Sequence, residues 1–238
     1  MKLVVLIRSP RVGPTTDEIV QALCPGDRAA LSTALALAQA DDGESSVTAL
    51  SAAPRSDEAA LTAALVAGAH RAVRIAEPSV VGADLAATSA VLGAGLRLLG
   101  FDLVLAGNRS ADFGSGATGP AIAHMLRIPH VTAVSAVQLR EDRKIVVTHR
   151  RERGLFQLQV ELPALLAVTA GPPLPVAEQA ASPPAIEPLN LAEVTLPFRR
   201  PALFPERQIE PARTSPEILD GVAGLAALLT RAKTDPSR

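Results

Sequence analysis

The 238-residue chain is 48% hydrophobic and 20% charged, with a formal net charge of −1, a globular composition long enough for one α/β domain plus further segments. The near-zero charge gives no electrostatic footprint for nucleic acid or an anionic membrane, and no run of about 18 apolar residues is present to span a bilayer. A single cysteine, Cys24, excludes a disulfide framework and a multi-cysteine zinc or iron–sulfur site within the chain; the absence of Trp and Tyr, with only five Phe, leaves few platforms for stacking on bases or flavins.

In chain order, the β-branched run 2–7 (KLVVLI) reads as a buried central strand. Arg8 and Pro10 break the run too early for a signal peptide, which suggests a cytoplasmic protein. After a Pro/Gly-punctuated loop, the Ala/Leu-rich stretch 28–40 predicts a helix with Asp27 as its N-cap. Residues 46–51 follow as a strand, and 56–67 as a helix capped by Ser56 and stopped by Gly68. A strand over 71–75, a helix over 83–99, a strand over 101–106 and a helix over 117–126 continue the alternation. The pattern predicts an open, mostly parallel sheet with helices on both faces. Segments 131–139, 144–150 and 155–169 lack intervening helices and predict an antiparallel edge, with turns at Glu141–Arg143 and Arg153–Gly154.

After Ala170 the chain turns Pro-rich (PPLP, SPPAIEP, LPFRRPALFPE) and then becomes amphipathic at helical spacing over 216–232. The expected division is therefore an α/β nucleotide-binding domain over 1–170 and an extended arm with a terminal helix over 171–238. Two fates are open for the arm: packing on a partner subunit, or folding back on its own domain or staying partly disordered.

Ligands of open α/β sheets bind beyond the carboxyl ends of the strands, where the strand order reverses. The long loop at such an end is 107–119, GNRSADFGSGATG, which leaves a strand and enters a helix. Its small residues let backbone N–H groups approach an anion, and the helix start adds a positive field. That placement favours a phosphate cradle over a plain flexible connection. Gly114, Gly116 and Gly119 satisfy G-x-G-x-x-G, but not in a first βα turn and without an acid about 20 residues later, so a dehydrogenase fingerprint is not met. His70, His124, His130 and His149 lack metal-ligand spacing. No Ser/His/Asp set or carboxylate pair is evident, and Cys24 reads as a small buried hydrophobe.

Several stretches, in order, resemble electron-transfer flavoprotein β subunits over about residues 1–171. They are Val4-Val5-Leu6-Ile7-Arg8, Cys24-Pro25-Gly26-Asp27, VTALSAAPRSDEAALTAALVAGAHRAVRI (47–75), FDLVLAGNRSADFGSGATGPAIAHMLRIPHVTAVSAVQL (101–139) and LPALLAVTAG (162–171). The resemblance implies a Rossmann-like domain that holds AMP structurally, packed against an α subunit that carries the redox FAD. It implies an electron carrier without catalytic residues of its own, passing electrons from a flavin dehydrogenase to a membrane quinone reductase or other acceptor. The implied AMP pocket uses the backbone of Leu6, the loop Cys24, Pro25, Gly26 and Asp27, and Ala52 beside the adenine. It places the phosphate on Ser115, Gly116, Ala117 and Thr118, with Gly107, Asn108, Asp112, Phe113 and Gly114 as the wall.

The chain departs from the family pattern at several points. Cys24 stands where Asn is common, Ala117 where Gln is usual, and of the acids before the phosphate turn only Asp112 is kept. In flavin-bifurcating relatives a second FAD takes the AMP position, but residues 113–119 lack their acidic pattern, so AMP is expected. The family's recognition loop for acyl-CoA dehydrogenases has no counterpart, and no Lys occurs between Lys144 and Lys233, which points to a different electron donor. The competing expectation is a stand-alone adenine-nucleotide-binding protein of universal-stress type.

Overall fold

In a computed structural model the described residues are 1–8, 23–41, 44–52, 54, 58–76, 84–110, 114–140, 144–152, 154–174, 184–191, 222, 223, 226 and 230. By compactness the chain divides into Met1–Ala202 and Leu203–Arg238. The second unit contributes only helical residues Val222, Ala223, Ala226 and Thr230, with the Thr230 hydroxyl donating to the Ala226 carbonyl at 2.9 Å.

The first unit alternates β1 (Lys2–Leu6), α1 (Pro25–Ala40), β2 (Ser46–Ser51), α2 (Ala59–Val66), β3 (Arg71–Ile75), α3 (Leu85–Leu99), β4 (Leu103–Gly107) and α4 (Thr118–Leu126). Then come β5 (His130–Leu139), β6 (Ile145–Arg151), β7 (Gly154–Val160), β8 (Ala164–Val168) and β9 (Glu187–Leu189). Among the described residues, the nine strands form one sheet in the order β7-β6-β5-β8-β4-β1-β2-β3-β9. It is parallel except where β6 pairs antiparallel with β5 and β7, which gives the expected α/β sheet with an antiparallel edge.

The central strands are mainly apolar because both faces are covered. Leu3 and Val5 of β1 pack with Leu31 and Ala34 of α1 and Leu61 of α2 on one face. Val4 and Leu6 pack with Val91 and Leu96 of α3 and Ile122 of α4 on the other. Helix starts and stops follow local chemistry. The Asp84 carboxylate accepts from the Ala87 N–H at 2.8 Å, and Gly100, at φ 66°, ends α3 where a side chain would be strained.

Three sequence expectations shift. Helix α1 begins at Pro25, whose fixed φ and missing N–H suit a first helical turn, so Asp27 lies inside that turn and does not cap it. Helix α2 has Glu58 at its N-cap position, and Ser56 lies outside the described residues. The segment 155–169 is not one antiparallel strand. It yields β7, which is, and β8, which runs parallel between β4 and β5. The reason is burial: Ala164–Val168 is apolar at every position and 0–2% exposed, which only an interior strand satisfies. The turn residues 141–143 and Arg153 lie outside the described residues.

Part of the Pro-rich segment joins the sheet. β9 pairs parallel with β3, and the Arg71 guanidinium donates to both Glu187 oxygens at 3.0 and 2.6 Å. Both side chains are about half exposed, so this pair fixes register more than it stabilises.

Candidate functional site

The chain leaves β1 through α1 toward β2 and β3 on one side, then returns through α3 to place β4 on β1's other side. The strand order therefore reverses between β1 and β4, whose ends are in register at Leu6 and Ala106. A crevice at the carboxyl ends of these strands is the position the topology assigns to a ligand.

Leu6 ends β1, and the next residue extends the ladder with Ile7 N–H donating to the Leu50 carbonyl at 2.9 Å. Ala52 lies one residue past the end of β2, half-buried against the core of the α3/α4 face. Gly107 ends β4, and Asn108 follows it. Leu6, Ala52, Gly107 and Asn108 thus come from three adjacent strand ends.

Both helices that start here abut the β4 exit. A Cβ on Gly107 would sit 2.8 Å from the Gly26 carbonyl carbon, 3.0 Å from Gly26 Cα and 3.2 Å from the Asp27 nitrogen. The first turn of α1 consequently rests on bare backbone. Gly116, at φ 64°, approaches the same segment from the α4 side, and a Cβ there would lie 2.7 Å from the Asn108 oxygen. The Ala117 N–H donates to the Ser115 hydroxyl at 3.4 Å and leads into Thr118, the first residue of α4. Two helix N-termini thus border residues 107–109, each with first-turn N–H groups that have no intrahelical acceptor. Their partial positive charges favour a bound anion.

Of the residues expected from sequence, Leu6, Cys24–Asp27, Ala52, Gly107, Asn108, Gly114, Ser115, Gly116, Ala117 and Thr118 belong to this group of strand ends and helix starts. Asp112 and Phe113 lie outside the described residues. Asn108 does more than line a wall. Its N–H donates to the Val168 carbonyl at 2.9 Å, and its side-chain oxygen accepts from the Ala133 N–H at 2.8 Å. Ala133 is held at φ 52°, inside the irregular register between Val131 and Val134 that links β5 to β8. Asn108 therefore ties the loop after β4 to the irregular stretch of β5, a strand two places away.

Two groups in the α1 start have unusual acidity. Asp27 is 6% exposed, and burial pushes its carboxyl up to about 6, against the opposing effect of the Arg8 N–H that donates to it at 2.8 Å. Burial, and then the Asp27 charge, push the Cys24 thiol up to about 11, so at neutral pH it stays a protonated S–H beside that carboxylate. Cys24 is a poor nucleophile in this setting. Sequence reading assigned Arg8 no role beyond ending the apolar run, whereas its N–H, two residues past the end of β1, donates to the Asp27 carboxylate.

Among the described residues no three His, Cys, Asp or Glu side chains group as metal ligands, and no helix is long and apolar enough to cross a membrane. A groove of about 840 Å³ is lined by α1 (Thr33, Leu37), β5 (Val137, Leu139) and Gly171. It shares none of the residues assigned to the crevice.

Residues 16–194 match the electron transfer flavoprotein domain. The chain is 31% identical over 177 residues to the electron transfer flavoprotein subunit beta of Thermoanaerobacterium thermosaccharolyticum, covering 70% of this chain and 67% of that protein. It is 37% identical over 142 residues to the subunit of the same name from Clostridium acetobutylicum, 60% of this chain and 54% of the other. It is also 34% identical over 159 residues to the caffeyl-CoA reductase–Etf complex subunit CarD of Acetobacterium woodii, 66% of this chain and 60% of the other. For the last two, the chain spans less than two thirds of the relative's length.

Proposed function

Because this chain belongs to the electron transfer flavoprotein family, as a β subunit, we propose that it is the structural nucleotide-holding half of a cytoplasmic two-subunit electron carrier. It binds AMP at the crevice between β1 and β4 and packs against an α subunit. FAD, held mainly by that α subunit, supplies the one- and two-electron chemistry. The β chain contributes binding and orientation, and acts as a carrier subunit with no catalytic residue of its own.

The observation that carries this reading is the packing of the start of α1 on the backbone of Gly107, with Gly116, just before α4, packing on the next residue, Asn108. Such a cradle fits a phosphate because backbone N–H groups can reach it and no Cβ intervenes. Thr118 adds a hydroxyl at the helix start. Ala52, half-buried one residue past the end of β2, would lie beside the adenine, and Leu6 would contribute its backbone. AMP is the favoured occupant because residues 113–119 lack the acidic pattern of relatives that hold a second FAD. A second FAD in the same position is the less favoured occupant, and a stand-alone nucleotide sensor of universal-stress type is the competing function.

Heat denaturation of the co-expressed, purified pair, followed by mass spectrometry of the supernatant, is expected to release AMP and FAD in comparable amounts. Release of FAD alone at twice the protein-pair concentration would assign the crevice to a second flavin. Absence of any adenine compound other than the partner's FAD would remove the nucleotide reading altogether.

The electron donor is proposed to be a flavin dehydrogenase other than the acyl-CoA type, since the segment after β8 lacks the expected recognition loop. Stopped-flow mixing of the pair with a reduced acyl-CoA dehydrogenase is expected to show little flavin reduction. Rapid reduction would overturn the donor assignment and leave the carrier role intact.

A further inference from the structure

Two glycines of the crevice pack on one short stretch of backbone. A Cβ on Gly26 would meet the Arg109 oxygen at 3.1 Å and Gly107 Cα at 3.2 Å, and one on Gly116 would meet the Asn108 oxygen at 2.7 Å. The start of α1 and the approach to α4 are therefore set by where residues 107–109 lie. A small displacement there passes to the N–H groups of both segments, and hydrogen bonds to a phosphate tolerate little change of distance or angle.

Asn108 fixes that stretch from two directions. The β1–β4 ladder ends at the pair Leu6 and Ala106, and the β4–β8 ladder at Gly107 and Val168. Asn108 comes next. Its N–H continues the ladder by donating to the Val168 carbonyl at 2.9 Å, and its side-chain oxygen accepts from the Ala133 N–H at 2.8 Å. The amide can face that N–H with its oxygen alone, since its nitrogen would set two donors against each other.

Ala133 is an unusual anchor. Its φ of 52° is one that residues with a side chain rarely adopt, and the pairing of β5 shifts register around it. The shift lies between Val131 and Val134 toward β8, and between Val134 and Ala136 toward β6. A bulge of this kind leaves a residue outside the ladder. The N–H of half-buried Ala133 then needs an acceptor from elsewhere, and Asn108 brings it. A second side chain braces the same bulge. The Thr169 hydroxyl and N–H both donate to the Val134 carbonyl, at 3.0 and 2.8 Å. The two braces differ in one respect: Thr169 belongs to the exit of β8, whereas the Asn108 carbonyl is itself the seat of Gly116.

We propose that Asn108 is a positioning residue for the nucleotide: by bonding Ala133, its side chain fixes the backbone of residues 107–109 on which Gly26 and Gly116 pack, and so sets how tightly the phosphate is held. This rests on the nucleotide-holding function proposed above and adds to it the residue that keeps the cradle in shape.

The test is exchange of bound AMP for isotopically labelled AMP in the co-expressed pair, read by mass spectrometry, for wild type, N108A and T169V. Urea midpoints of the same pairs measure stability alongside. T169V removes a side-chain hydrogen bond from the same bulge and keeps the backbone bond of residue 169. N108A is expected to exchange AMP about tenfold faster than wild type, roughly what one lost hydrogen bond to a backbone group is worth. T169V is expected to exchange at near the wild-type rate, with the two midpoints lowered alike. Should N108A fail to fold, N108A/A133G replaces it. Glycine adopts a φ of 52° freely, so the bulge persists while the loop still lacks its tie, and the same faster exchange is expected. Exchange in N108A at the wild-type rate overturns the positioning role and leaves the nucleotide reading standing. So does exchange that merely tracks the urea midpoint across the variants, because a purely structural bond moves both together. Wild type purified without AMP removes the nucleotide reading, and the positioning role with it.

Discussion

Gly107→Ala is expected to destabilise the subunit by about 3 kcal/mol and to empty the crevice of nucleotide, the upper end of what one added methyl costs a packed interior. The methyl would meet the Gly26 carbonyl carbon at 2.8 Å and Gly26 Cα at 3.0 Å, both backbone atoms that cannot rotate away. Relief requires the start of α1 to lift from β4. That helix carries Leu31 and Ala34 into the core beneath it, so lifting one end disturbs both the core and the anion cradle. Gly26→Ala is milder, because its closest neighbours stand at 3.1 and 3.2 Å. Gly114→Ala is milder still: nothing lies nearer than 3.9 Å, and only its φ of 60° opposes a side chain, at roughly 1–2 kcal/mol. Urea denaturation of the three variants should rank them in that order. Adenine released on heating should be near the wild-type amount for Gly114→Ala and near zero for Gly107→Ala. Full nucleotide content in Gly107→Ala, with unchanged stability, would mean that the close approach of α1 and β4 does not shape the site.

The sheet and its helices were largely legible because parallel strands and amphipathic helices leave different periods in the sequence. The strand at 71–75 and the loop from 107 into α4 stand where the pattern puts them. The start of the first helix was less legible. Ala/Leu density drew the boundary to residue 28, whereas Pro25 carried the better signal. That shift matters for the site, since it turns Asp27 from a solvent-facing cap into a buried carboxylate and Gly26 into a contact with β4. β8 was hidden because the text runs from β7 to it with only Glu161–Pro163 between, so the two read as one strand. The change from alternation in LFQLQV to the unbroken apolar ALLAV marks the passage from edge to interior. β9 was not legible at all: three residues, one of them proline, carry no period, and its place depends on β3 and on Glu187 meeting Arg71.

The buried Asp27 makes stability depend on pH in an unusual direction. Its carboxyl rises from an ordinary value of 3.8 to about 6 on folding, with burial the main cause. An acid raised in the folded state opposes folding once it is ionised. That cost is absent below pH 4, where both folded and unfolded chains hold the proton. It grows as pH climbs from 4 toward 6 and is fully present above the folded value. Two pH units correspond to roughly 3 kcal/mol, an order-of-magnitude figure for so buried a group. Asp27→Asn removes the ionisation and keeps an oxygen able to accept the Arg8 N–H, now held at 2.8 Å. The variant is therefore expected to be more stable than wild type at pH 7.5 by on the order of 1–3 kcal/mol, and to match or trail it at pH 4. Urea midpoints across pH 4 to 8 measure this directly, with the gap between the two proteins opening through the window from 4 to 6. Curves that stay parallel over that window would show that Asp27 titrates as an ordinary exposed acid. A gap of the opposite sign would show that the carboxylate is stabilised in place, by Arg8 and the S–H of Cys24 together, more than burial penalises it.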